Sequence, residues 1–159
     1  MKIHPLFGLA LWLGLCLAVM VTGALATAPS IPGWYAGLKK PAWTPPSWLF
    51  GPVWFLLYIM MALAAWLVWK QEVLPQFHWP LVIFVIQLAL NLCWSYVFFG
   101  LQKPGIALGE IGALWLAILL TLVSFWPVNR LAGFLMLPYL IWVSYAALLN
   151  LSIWRLNRF

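Results

Sequence analysis

Acid–base chemistry needs two groups that can trade a proton, and this chain is almost bare of them. Its only carboxylate side chains are Glu72 and Glu110, its imidazoles His4 and His78, its thiols Cys16 and Cys93. Glu72 and His78 fall in one short polar stretch, His4 near the N-terminus, and Glu110 and both cysteines inside apolar runs. Neither histidine has a second ligand at a metal-binding spacing, and the cysteines form no ligand pair. A phosphate-cradling glycine loop and an intramembrane ladder of charges are both missing from the sequence. Paired-carboxylate hydrolysis, metal catalysis and ion-coupled transport therefore lose their chemical basis, and no cofactor is expected. Cys16 and Cys93 read as inert packing residues, and Glu110 as a residue that snorkels or caps.

Aromatic and amide groups remain. Trp54, Tyr58 and Met61 stand at i, i+4, i+7 and share one helix face. Gln87, Asn91, Trp94 and Phe98 do the same, with Ser95 beside them, and so do Tyr139, Trp142, Ala146 and Asn150. An amide in hydrocarbon must find a partner, either on another helix or on a ligand. Spacing alone leaves both readings open. Trp48, Trp69, Trp79, Trp126 and Trp154 lie near the ends of apolar runs, where tryptophan forms interfacial belts. Trp12, Trp66 and Trp115 read as core or lipid-facing. An apolar pocket with a few polar points suits a flat hydrophobic ligand.

The elements that must position these groups are helices in a membrane. The chain is 67% hydrophobic and 6% charged, with mean hydropathy +1.04, whereas soluble domains carry about 25% charged residues. Its net charge of +6 comes from basic residues set singly between apolar runs, as anchors are, and no nucleic-acid partner is expected. Five runs, at about 6–28, 46–69, 80–100, 105–126 and 131–154, approach the ~20 residues that cross a bilayer core. Period-2 alternation is absent, which argues against a barrel. The fold class is therefore an all-α membrane bundle of five helices in one domain, residues 1–159. Ala24-Leu25-Ala26 has the form of a signal cleavage site, but its run is long enough to span and four others follow.

Residues Trp34 to Tyr58 hold four tryptophans and four prolines, more aromatic surface than a connecting loop needs. The stretch reads as a cover folded over something large, flat and apolar. Lys39 and Lys40 sit in it as surface anchors or as contacts for a ligand's carboxylates. Pro29 and Pro32 are expected to break the first helix, Thr44 to cap the second ahead of Pro45 and Pro46, and Pro52 to kink it. Ala10, Gly14, Ala18, Thr22 and Ala26 form a small-residue ridge for a neighbouring helix. Gly105, Gly109, Ala113 and Ala117 form a second, directed either into the bundle or against another subunit. Lys2, Lys70 and Arg130 lie on one side; Lys39, Lys40, Lys103, Arg155 and Arg158 lie on the other. That bias puts the C-terminus and the aromatic loop in the cytoplasm.

WYAGLKKPAWTPPSWLFGPVWFLLYIMM, IQLALNLCWSYVFFG and LPYLIWVSYAALLNLSIWRLN, in that order, resemble the signature segments of the TspO/MBR family over essentially the whole chain. The family comprises the bacterial tryptophan-rich sensory proteins and the mitochondrial translocator protein, once called the peripheral benzodiazepine receptor. The resemblance implies a five-helix bundle, commonly a homodimer, whose first loop covers a cavity. It implies binding of porphyrins (protoporphyrin IX, haem) and of synthetic isoquinoline carboxamide and benzodiazepine ligands. Carried over by position, Trp54 and Asn91 match residues that hydrogen-bond the synthetic ligand. Trp54 and Trp142 match a pair proposed to act in light-dependent porphyrin breakdown, and Ala146 falls near a polymorphism that alters binding. With the spacing and the covering loop, this gives an expected ligand site of Trp34, Trp43, Trp54, Tyr58, Asn91, Trp94, Tyr139, Trp142 and Ala146. The mitochondrial sterol motif departs here: Leu151 and Ser152 stand where a tyrosine is needed, which puts cholesterol in doubt and favours a bacterial membrane. The expected activity is a receptor or carrier for porphyrins in contact with lipid. The alternatives are a light-dependent porphyrin-degrading enzyme, with Trp54 and Trp142 catalytic, and a dimeric membrane scaffold.

Overall fold

In hydrocarbon a backbone can satisfy its N–H and C=O groups only within itself or a closed barrel, and long uncharged runs here resolve into helices. The computed structural model describes residues 5–71 and 79–157. Its helices are α1 (Pro5–Thr27), α2 (Phe50–Trp69), α3 (Trp79–Ser95), α4 (Pro104–Phe125) and α5 (Arg130–Asn157). With the turns that carry α1 on to Tyr35, begin α2 at Ser47 and carry α3 on to Gly100, all five stretches are long and apolar enough to span. The chain is an integral, multi-pass membrane protein. His4, Glu72 and His78, together with Lys2 and Arg158 of the charge comparison, lie outside the described residues.

The main helix pairings are α4 with α5, α3 with α4, α1 with α2, and α2 with α5, while α2 and α3 touch little. Indole donors tie two of these pairs. Trp66 Nε1 donates to the Pro5 carbonyl (2.9 Å), and Trp115 Nε1 to Ser144 Oγ (2.7 Å). Trp12 is buried edge-on against Phe84 at 5.6 Å. Of the expected belt residues, Trp48, Trp79, Trp126 and Trp154 are exposed, whereas Trp69 packs inward beside Gly8.

Several expectations are corrected by the backbone. Pro29 and Pro32 do not end the first helical stretch, which continues through a tight turn at Ala28–Ser30 and a wide turn at Ile31–Tyr35. Each proline stands at the first positions of its turn, where the hydrogen-bond spacing changes and a missing N–H is tolerated. Thr44 does not cap α2. Its hydroxyl donates to the Pro41 carbonyl (2.7 Å), and Ser47–Leu49 leads into the helix from Pro46. Pro52 is the third residue of α2, in a first turn where proline costs little, so no kink is needed there. Cys93 faces outward, unlike buried Cys16.

The two small-residue ridges pack otherwise than their spacing suggests. Ala10, Gly14 and Ala18 face outward, and α1 instead buries Gly8, Trp12, Cys16 and Gly23. On α4 the ridge divides. A Cβ at Gly105 would meet the Trp154 indole at 2.8 Å, whereas one at Gly109 would meet nothing within 4 Å. Gly105→Leu should therefore lower the unfolding midpoint in detergent, by overpacking worth about 1–3 kcal/mol, and Gly109→Leu should not. Equal losses from the two substitutions would contradict this division.

Candidate functional site

A carboxamide buried between apolar helices has four hydrogen-bonding positions to fill, and Asn91 fills two with tyrosines from other helices. Tyr58 Oη on α2 donates to Asn91 Oδ1 (2.5 Å), and Asn91 Nδ2 on α3 donates to Tyr139 Oη on α5 (2.7 Å). Tyr58 and Asn91 are nearly fully buried and Tyr139 completely so. A second tie lies nearer the loop side. Trp94 Nε1 donates to Asn150 Oδ1 (3.1 Å), and Asn150 Nδ2 to the Pro104 carbonyl that opens α4 (2.8 Å). Both amides are thus interhelical hydrogen bonders, while Asn91 also borders an open space.

That space is a cavity of about 340 Å³ between α1, α2, α3 and α5, bordered by Tyr35, Trp54, Tyr58, Asn91, Trp94 and Trp142 among others. Aromatic faces dominate it: Phe50 stands edge-on to Trp142 at 6.1 Å, and Trp54 lies 5.8 Å from Tyr58 and 6.1 Å from Tyr139. Trp94 has spent its indole N–H on Asn150. Trp54 and Trp142 have not, and among the described residues neither donates to a protein group. A smaller cavity of about 30 Å³ lies behind the Phe50–Trp142 wall. The arrangement can receive a planar apolar body on its rings and offer its edge two N–H donors.

Six of the expected residues border the cavity: Trp54, Tyr58, Asn91, Trp94, Trp142 and Ala146. Three do not. Tyr139 is sealed behind Asn91. Trp34 packs edge-on to Phe98 (5.6 Å) and Phe99 (6.5 Å). Trp43 is half exposed, and its ring lies 5.5 Å from Tyr145, whose hydroxyl donates to the Trp43 carbonyl (2.7 Å). The covering loop is therefore stitched to α5 and does not turn these indoles inward. Asn157 adds a second stitch, accepting from Lys39 N (3.0 Å) and donating to Lys39 O (2.9 Å). Lys40 Nζ spends its donors on the carbonyls of Tyr35 (2.6 Å), Ala36 (3.1 Å) and Leu38 (3.1 Å), so it closes the helix end and has no N–H left for a ligand carboxylate. Glu110 neither caps nor snorkels. Both its oxygens are buried without a hydrogen-bond partner among the described residues, away from the cavity.

Sequence reasoning missed the contribution of α1. Met20, Gly23, Ala24, Thr27, Ala28 and Ile31 border the cavity, on the face next to the ridge that was singled out. Their spacing of three and four residues was a usable signal. Tyr35, Phe50 and Phe99 were also passed over: Phe50 stands four residues before Trp54 on the same face of α2 and was a usable signal, whereas Tyr35 lies beyond the expected break at Pro29 and Pro32.

A model of the TspO/MBR family matches residues 12–155. The tryptophan-rich protein TspO of Chlorobaculum tepidum is 46% identical over 153 residues, covering 94% of this chain and 95% of the relative. The tryptophan-rich sensory protein of Cereibacter sphaeroides is 39% identical over 146 residues, with 92% and 89% covered. The human translocator protein is 41% identical over 126 residues, with 78% and 75% covered.

The tyrosine–amide chain predicts coupled stability effects. Asn91→Ala leaves two buried hydroxyls without their partner and should cost about 2–5 kcal/mol, against about 1–2 kcal/mol for Tyr58→Phe. The double variant should lose less than the sum. Additive losses in detergent unfolding would show that the two groups are not coupled.

Proposed function

The chain belongs to the TspO/MBR family, and on that premise we propose that it is a membrane receptor or carrier for porphyrins and similar flat, apolar ligands. The observation that carries the reading is the aromatic cavity with the two unspent indole donors, Trp54 and Trp142. A planar macrocycle would stack on the rings that border it. Acceptor atoms at the ligand's edge, such as the carbonyl of an isoquinoline carboxamide, would take the indole hydrogens, and Asn91 has one N–H still to give. The names of the relatives, translocator and sensory protein, favour binding and signalling over turnover. On the same reading the site holds Trp54, Tyr58, Asn91, Trp94, Trp142 and Ala146, with Tyr139 as the support behind them. We place the protein in a bacterial membrane with the loop and C-terminus cytoplasmic. The outward small-residue faces of α1 and α4 would suit a second copy.

A second reading, light-dependent porphyrin breakdown, draws on one observation: Trp54 and Trp142, the pair it needs, both border the cavity. Titration of tryptophan fluorescence with protoporphyrin IX separates the possibilities. In the dark, quenching should saturate, and Trp54→Phe and Trp142→Phe should each weaken binding about fivefold, the worth of one neutral hydrogen bond. Quenching that never saturates and ignores both substitutions would mean partition into detergent and would sink the binding reading. Porphyrin loss in light that Trp142→Phe abolishes without changing affinity would favour the enzyme.

A further inference from the structure

Four helices border the cavity, but its exposed border lies on two of them. Ala24 and Ala28 on α1, and Ser47, Gly51 and Phe55 around the start of α2, border the cavity and are exposed. The bordering residues of α3 and α5 are buried or half-buried. The mouth of the cavity is therefore the gap between α1 and the start of α2. Apart from Phe55, its rim carries small side chains. Small residues ordinarily let two helices close on each other; here they stay exposed beside open space and leave a gap.

α1 and α2 are tied at their opposite ends, where Trp69 lies against Gly8 and Trp66 Nε1 donates to the Pro5 carbonyl (2.9 Å). Nearer the mouth the hydroxyls of the first helical stretch turn elsewhere. Thr22 donates to the Ala18 carbonyl (2.7 Å), Thr27 to that of Gly23 (2.9 Å) and Ser30 to that of Phe99 (2.8 Å). The gap falls within two spanning stretches, Pro5–Tyr35 and Ser47–Trp69, so in a bilayer it faces lipid. The way in beneath the loop is shut by the bonds of Tyr145 to the Trp43 carbonyl and of Asn157 to both backbone groups of Lys39. A ligand arriving under the loop has to break those bonds, and one arriving between α1 and α2 breaks none.

We infer that the gap between α1 and the start of α2 is the route by which the flat ligand enters and leaves the cavity, directly from the bilayer. This rests on the receptor-or-carrier reading above and adds the source of the ligand, the leaflet on the loop side. An apolar planar body already concentrates in hydrocarbon, and edge-on it presents its smallest section to the rim. Narrowing a path used in both directions slows association and dissociation alike and leaves the affinity where it was.

Gly51 is the place to narrow it, because a Cβ there would meet nothing within 4 Å. Gly51→Cys is made together with Cys93→Ser, since Cys93 is exposed and Cys16 is buried. A bulky aromatic methanethiosulfonate is attached to the new thiol and later removed with a reductant. Quenching of tryptophan fluorescence by protoporphyrin IX is followed by stopped flow in lipid nanodiscs, in the dark. The label should slow association and dissociation together at least about tenfold and hold Kd within about threefold, and the reductant should restore both rates. Asn157→Ala, which loosens the loop, should leave both rates within about twofold of wild type. Rates indifferent to the label, or an affinity lost with dissociation unchanged, would overturn the route, and so would association that Asn157→Ala accelerates. In each of those cases saturable binding to wild type leaves the binding reading standing. Wild type that shows no saturable binding would remove that reading and this inference together.

Discussion

The Asn91 carboxamide lies among apolar helices and cannot be left without hydrogen bonds, and much of the structure follows from how it gets them. α2 and α3 pack little against each other, so Tyr58 crosses the gap between them to reach Asn91 Oδ1. On the far side Tyr139 ties the same amide to α5. Three helices are held at one level by two hydrogen bonds, and the space left beside that level is the cavity. An apolar residue at position 91 would pack, but it would give neither tyrosine a partner.

The covering loop obeys a different constraint. Its backbone lies outside the helices and must find acceptors and donors elsewhere, and α5 supplies them at Tyr145 and Asn157. Lys40 collects the carbonyls that the first helical stretch leaves open at its end, as basic side chains do at helix C-termini. The cluster of Tyr35, Phe50, Phe98 and Phe99 fills the space beneath. Loop and cavity therefore meet through Tyr35 and the α1 extension, while Trp34 and Trp43 serve the packing of the cover itself.

The sequence made the five spans legible, because hydrocarbon admits few other structures for such runs. It also made Trp54 with Tyr58, Asn91 with Trp94, and Trp142 with Ala146 legible as faces, since helical period alone aligns them. Residues off that period stayed hidden. Tyr35 reaches the cavity through the extension of α1, which depends on turns at Pro29 and Pro32 that read locally as a break, whereas Phe50, four residues before Trp54, shares that residue's face and was legible. Gly105 and Gly109 look alike in sequence, and only the place of Trp154 separates them. The amides posed the subtlest case, since a partner helix and a ligand were offered as alternatives. Asn91 is bonded to two helices and still borders the cavity.

On the proposed function the cavity, and not the protein's tryptophan-rich outer surface, receives the flat ligand. Indole N–H resonances of the 13 tryptophans, assigned by single substitution and followed by two-dimensional NMR in detergent, test this directly. Protoporphyrin IX carries a strong ring current and shifts whatever indole lies against it. The account predicts large, saturating shifts at Trp54, Trp94 and Trp142, with the exposed indoles of Trp48, Trp79 and Trp126 unmoved. Shifts confined to those exposed residues would place the porphyrin on the outside of the bundle and contradict the account.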